Sequence, residues 1–222
     1  MTAHPSPTPA SAPGAPLRLW GRLSSINVRK VVWSLQEIGV PFERIDAGLD
    51  FGLVHTPEYA ARNPNQLVPL LQDGDFSLWE SNVIVRYLCA RYAAADTLYP
   101  HDLQRRFDAE RWMDWQQTTL NPAGSPAFKQ LFRVPPERRQ PALIEASQRA
   151  MAPLLAMLDA QLARQPWLAG ERFTMADIPA ACDIHRWWAL PFDQPAVPHL
   201  RDWWARIQAR PATRGVLDLP LA

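Results

Sequence analysis

Lysine is almost missing from this chain. It carries 23 basic residues, yet only Lys30 and Lys129 are lysines; arginine supplies the rest. That balance by itself points to no partner. Cysteine is as scarce: Cys89 and Cys182 lie far apart, with neither a C-x-x-C pair nor metal-ligand spacing. Each reads as a small buried hydrophobe, and a reducing compartment fits. Excess charge is absent too, since the net charge is +1, which removes any general pull toward nucleic acid. No apolar run approaches the roughly 18 residues that suggest a membrane span. The start, MTAHPSPTPASAPGAP, lacks a basic n-region and an apolar h-region and makes a poor signal peptide. His4, His55, His101, His185 and His199 are scattered, so no metal site is expected.

What remains is a cytoplasmic chain of 222 residues with 47% hydrophobic content and ten tryptophans, enough for a sizeable core. Proline at positions 5, 7, 9, 13 and 16 marks residues 1–16 as a disordered tail. LRLW (17–20) alternates like a strand. Val28, Val31, Val32, Leu35 and Ile38 recur at helical spacing, Gly39 suits the C′ position, and FERI (42–45) follows as a second strand. A strand, a helix and a strand in thirty residues make a βαβ unit with parallel strands. Thr56-Pro57 opens a short helix. VPLLQ and FSLW flank DGD as a hairpin. The helix of ESNVIVRYLCARY is expected to bury Val83, Ile84, Tyr87 and Leu88.

After the AAADTLYPHD linker no strand pattern appears. Helical segments 103–120, 138–164, 174–190 and 199–210 follow, punctuated by prolines that include Pro122 and Pro126. The expected domains are residues 17–94, an α/β module, and 102–222, all-helical. FTMADI (173–178) reads as a capping box and hydrophobic staple, with Thr174 and Asp177 bonded reciprocally, so Asp177 has a structural role.

Two places carry chemistry. A proline at a strand start, Val68-Pro69, is ordinary when trans; a cis bond would turn the Val68 backbone toward a ligand lying extended as a strand would. Beside it, the amides of Ser81 and Asn82 open a helix and suit a carboxylate, while Glu80 suits an ammonium. A short peptide with α-amino and α-carboxylate groups fits both.

The motifs SSINVRKV (24–31), NPNQLVPLL (63–71), LWESNVIVRYL (78–88) and PWLAGERFTMADI (166–178), in this order, resemble those of the cytosolic glutathione S-transferases, bacterial serine-type, theta-like or zeta-like. The resemblance covers about residues 17–215. It implies a thioredoxin-like N-terminal domain with an all-α C-terminal domain, a cis Pro69, a Val68 backbone paired with the cysteinyl part of glutathione, and Glu80 and Ser81 on its γ-glutamyl end. It also implies a homodimer whose interface helices include the ESNVIVRYL and RWMDW segments. The family often has glycine where Gln66 stands; Gln66 is strained there if φ is positive, or it donates to the glutathione carboxylate. His55 is a second candidate for that carboxylate.

Glutathione is the expected co-substrate, with no metal. Its thiol has a pKa near 8.5, and lowering this by about two units takes about 2.7 kcal/mol of preference for the thiolate. Ser25 aligns with the activating serine of the theta-like classes, Asn27 is a second donor and Ser24 a third; ordinary helix capping is the alternative role for each. No cysteine lies in this loop, which disfavours a mixed disulfide on the protein. On the helical side Trp112 and Trp115 would floor an apolar electrophile pocket, with Gln116 and Thr119 as polar contacts, or else pack between the domains.

These residues predict conjugation of glutathione to small hydrophobic electrophiles, with possible peroxidase or reductase side activity. A zeta-like glutathione-dependent isomerase, or a non-catalytic binding protein on the same fold, are the alternatives.

Overall fold

The computed structural model describes residues 16–221; the proline-rich start falls outside them. The chain opens with β1 (Leu17–Trp20), α1 (Ile26–Ile38), β2 (Phe42–Ile45), α2 (Pro57–Arg62), β3 (Leu70–Asp73), β4 (Phe76–Trp79) and α3 (Ser81–Tyr92). The sheet order is β2-β1-β3-β4. β1 pairs β2 in parallel, as the βαβ pattern required, and the other pairs are antiparallel. Helices α4 (Leu103–Trp115), α5 (Asn121–Phe132), α6 (Pro141–Leu162), α7 (Asp177–Trp188) and α8 (Pro198–Gln208) complete the fold.

Helix α1 joins the two halves. Val28, Val31, Val32 and Leu35 are buried, and Gly39 ends the helix at φ 74. α1 also packs against α3 and α7, which buries Arg29, Lys30, Trp33 and Ser34 as well. Arg210 clamps Glu37 with two bonds of 2.7 Å. Arg29 reaches the carbonyls of Leu219 at 3.2 Å and Pro220 at 2.6 Å, so the C-terminal segment lies against α1.

Two local expectations need correction. The buried face of α3 is Ser81, Asn82, Ile84, Val85, Leu88 and Cys89, while Val83 is 42% exposed. The helix is rotated because its first turn is drawn under α1 by polar bonds described below. Pro122 and Pro126 do not break the chain into separate helices: α4 runs through a π turn (Gln116–Leu120) into α5, with Pro122 near its start and Pro126 inside. The helix tolerates the lost amide at Pro126 because one face is tightly packed. On that face Gly124 is buried against Met151 of α6 and Trp187 of α7, where an added Cβ would make only ordinary van der Waals contact, 3.4 Å from Met151 Sδ and 3.5 Å from Trp187.

At the start of α7, Asp177 accepts from the Thr174 amide at 3.0 Å, as the capping box requires. Thr174 Oγ1 accepts from Ala176 at 3.3 Å rather than from Asp177, whose own amide bonds the Thr174 carbonyl in a tight turn. Cys89 and Cys182 are free and buried, and burial pushes both thiols up to about 12. Among the described residues no helix is long and apolar enough to cross a membrane.

Candidate functional site

The site begins where β1 hands over to α1. Gly21 leaves no room for a side chain: a Cβ there would lie 2.4 Å from Val28 Cγ2 and 3.3 Å from Val68 Cβ. Glycine thus lets the first loop close on Val68. Ser25 is the N-cap of α1 in an extended conformation, and its carbonyl accepts from Val28 and Arg29. Its side chain makes no capping bond. The hydroxyl of a partly exposed serine is thus left at the positive end of a 13-residue helix. Ser24 and Asn27 are partly exposed beside it.

Val68-Pro69 is cis. The Val68 amide and carbonyl make no bond within the described protein, whereas the neighbouring Leu67 carbonyl is held by Tyr59 Oη at 2.6 Å and Asn63 Nδ2 at 2.7 Å. The pinned Leu67 orients Val68 as an open strand edge, the geometry that pairs with an extended peptide. Gln66 sits at φ 53, the left-handed region where glycine is at ease. Its Oε1 lies 2.6 Å from His55 Nδ1, so His55 donates from Nδ1. The structure therefore joins the two residues considered for the glycyl carboxylate.

Glu80 is exposed and has φ 71. Non-glycine residues held there concentrate at functional sites. Its carboxylate makes no hydrogen bond or ion pair among the described residues. Immediately after it, the α3 amides begin. Ser81 Oγ donates to Asn27 Oδ1 at 3.3 Å, which ties the N-terminal end of α3 to the first loop. Ser25, Asn27, Val68, Glu80 and Ser81 thus border one region.

Sequence reasoning missed what lies beneath. Lys30 is fully buried, and its ammonium faces Gln116 Oε1 at 3.0 Å, Asn82 Oδ1 at 3.1 Å, and Ser81 Oγ and Gln117 Oε1 at 3.5 Å. Asn82 Nδ2 donates to the Met113 carbonyl at 2.7 Å. Gln116 Nε2 donates to Asp183, which accepts from Arg186 at 2.6 Å. One polar network therefore threads α1, α3, the π turn and α7. Burial pushes the Lys30 pKa down to about 8, opposed by Asp183, so it stays largely charged at neutral pH. The available signal was a lysine at an inward helix position in a chain that otherwise uses arginine.

The helical-side expectation is revised. Trp112 and Trp115 do pack together, edge to face with centroids 5.3 Å apart. They line a cleft of about 300 Å³ with Arg111, Met157, Gln161 and Arg164, walled by α4 and α6. Ser25, Asn27, Val68 and Ser81 do not border it. Gln116 is not a free polar contact: it is fully buried and saturated by Lys30, Asn82 and Asp183, because the π turn points it inward. Thr119 is half-buried in that turn. In the first loop Arg22 has its pKa lowered by burial and then by the like charge of Arg133, which lies just past the end of α5. Near that end Phe128 and Phe132 stack at 5.3 Å. Among the described residues no group of three or more His, Cys, Asp or Glu is arranged to hold a metal.

Comparison with known proteins agrees with this geometry. Residues 15–90 match the glutathione S-transferase N-terminal domain family, and residues 120–211 match the C-terminal domain family. The chain is 42% identical over 208 residues to glutathione S-transferase GstB of Escherichia coli K12, covering 93% of this chain and 100% of the relative. It is 34% identical over 215 residues to glutathione S-transferase 3 of Zea mays, covering 93% of this chain and 96% of the relative. A crystal structure of a theta-class glutathione S-transferase from Xanthomonas axonopodis pv. citri, with glutathione bound, superposes with a TM-score of 0.89 at 44% identity, covering 93% of this chain and 99% of that one.

Proposed function

We infer from its membership of the glutathione S-transferase family that this chain, a glutathione transferase, works through the site built around Ser25 and Val68. Residues 17–94 form its glutathione-binding module and 102–222 its electrophile-side domain. Val68 pairs its backbone with the cysteinyl unit. The Ser81 and Asn82 amides take the γ-glutamyl carboxylate and Glu80 its ammonium. His55 and Gln66 meet the glycyl carboxylate. The Ser25 hydroxyl donates to the sulfur and favours the thiolate, with Asn27 beside it and Ser24 as the remaining donor in the loop.

The observation that carries this reading is the uncapped Ser25 hydroxyl at the α1 N-terminus. A capping serine would have spent its oxygen on a helix amide. The thiolate then attacks a small hydrophobic electrophile, whose apolar wall we place at Phe128 and Phe132 rather than at Trp112 and Trp115. Peroxidase or reductase activity, if present, runs through glutathione itself. A cytoplasmic detoxifying role fits a site that recognises glutathione closely and leaves the second substrate an open wall. A homodimer is supported by large apolar side chains left on one run of elements: Phe76 on β4, Val83 on α3, and Leu103 and Phe107 on α4 are all more than 40% exposed.

The test is an ultraviolet pH titration of bound glutathione in wild type and Ser25→Ala. The expected result is a thiol pKa well below 8.5 in wild type and a rise of about one to two units in the variant. An unchanged pKa in Ser25→Ala moves the role away from Ser25.

A further inference from the structure

A second donor to the sulfur, beside Ser25, is set by a residue that never touches it. We propose that Lys30 is a positioning residue: through Ser81 it fixes the direction of the Asn27 amide, so that Asn27 presents its NH2 group to the glutathione sulfur.

Hydrogen-bond polarity fixes this orientation, and its role rests on the glutathione reading above. An ammonium has three donors and no acceptor. With Lys30 Nζ 3.5 Å from Ser81 Oγ, the Ser81 hydrogen is repelled from that side. It points instead at Asn27, whose atom 3.3 Å away must then be the acceptor, Oδ1. An amide with its oxygen turned to Ser81 has its nitrogen turned away. Asn27 Nδ2 has no partner among the described residues and stands in the first turn of α1, two residues after Ser25.

The same ammonium is held by Asn82 and Gln116 at 3.1 and 3.0 Å, and both of these are themselves anchored. Asn82 donates to the Met113 carbonyl and Gln116 to Asp183, so neither can turn to release Lys30. The charged groups around Lys30 are Asp183 and Arg186 of α7 and Glu80 ahead of α3, with the Cys182 thiol close by. The helical domain thus holds the lysine, and the lysine holds the polarity of the glutathione site. Without the ammonium, nothing turns the Ser81 hydrogen toward Asn27, and the Asn27 amide loses its reason to keep one orientation.

The experiment is a double-mutant cycle on the full chain at saturating glutathione, reading the bound thiol pKa in wild type, Lys30→Met, Asn27→Ala and the double variant. Each single variant is expected to raise the thiol pKa by about one unit, and the double variant by no more than either alone. Lys30→Met that is folded by circular dichroism, binds glutathione and keeps the wild-type thiol pKa overturns the proposal. Additive shifts overturn it too, because they mean that Lys30 acts on the sulfur by charge alone. If Lys30→Met does not fold, Ser81→Ala breaks the chain at its middle and must show the same non-additivity with Asn27→Ala; a null or additive shift there is equally fatal. A wild type that binds no glutathione would defeat the transferase site itself, and the proposal with it, and that failure is recognisable before any variant is made.

Discussion

Asp177 offers a stability test that separates a structural carboxylate from a catalytic one. It is fully buried at the start of α7. Oδ1 accepts from the Leu168 amide at 3.1 Å and from Trp203 Nε1 at 2.9 Å, and Oδ2 accepts from the Thr174 amide at 3.0 Å. Burial pushes its pKa up from 3.8 to about 6 despite those three donors. The folded protein therefore holds a proton on Asp177 over a range where the unfolded chain has released it. This contribution to stability is fully present below the unfolded pKa and is lost as pH rises through about 6. Asp177→Asn keeps an oxygen for Leu168 and Trp203 and cannot ionise. Urea unfolding of wild type and Asp177→Asn, compared from pH 4 to pH 7, should show wild type losing about 2 kcal/mol relative to the variant. Taking the difference cancels every other carboxylate. Asp177→Ala should be the harsher change at any pH, since it strands three buried donors at about 1–3 kcal/mol each, a sum comparable with the whole stability of an ordinary domain. Activity per folded Asp177→Asn molecule should match wild type. A flat difference across the pH range would refute the raised pKa, and the opposite slope would mean that the three donors outweigh burial.

Three further outcomes follow from the same coordinates. Gly21→Ala forces a methyl to within 2.4 Å of Val28 Cγ2 and against Val68; it should cost about 2 kcal/mol and raise KM for glutathione, and a variant with unchanged KM would show that Val68 tolerates displacement. Gln66→Gly relieves φ 53 and should stabilise the protein by about 1 kcal/mol in thermal unfolding, while loss of the His55 partner weakens glutathione binding by calorimetry; unaltered affinity would remove Gln66 from the site. Val83→Glu places a charge on the exposed face of α3 and should convert the proposed homodimer to monomer in size-exclusion chromatography with light scattering; a wild type that is already monomeric would end the dimer proposal.

Local chemistry was legible without coordinates wherever neighbours in sequence decide it. Thr56 caps α2 by accepting from the Tyr59 amide at 3.3 Å, and Gly39 takes the left-handed C′ position because the chain must turn before Pro41. The short strands, their parallel and antiparallel senses, and the pairing of Asp177 with Thr174 needed only spacing and residue type. The Val68-Pro69 step and the start of α3 at Ser81 were legible for the same reason, since each is set by local backbone.

Contacts between distant segments were not legible. Lys30 meets Asn82 across 52 positions and Gln116 across 86, and no period in the sequence encodes that meeting. Gln116 looked like a pocket contact because an ideal helix carries it on the same face as Trp112; the π turn moved it into the core. Val83 and Val85 are equally apolar, and only the polar bonds from Ser81 and Asn82 chose which one to bury. The sequence alone determined the elements, the caps and the backbone of the proposed glutathione site, because those are set by a residue and its near neighbours. Tertiary structure decided the burial of Lys30 and of the Gln116 that meets it. Burying a charge or turning a helix depends on acceptors and packing surfaces that only the folded chain brings together.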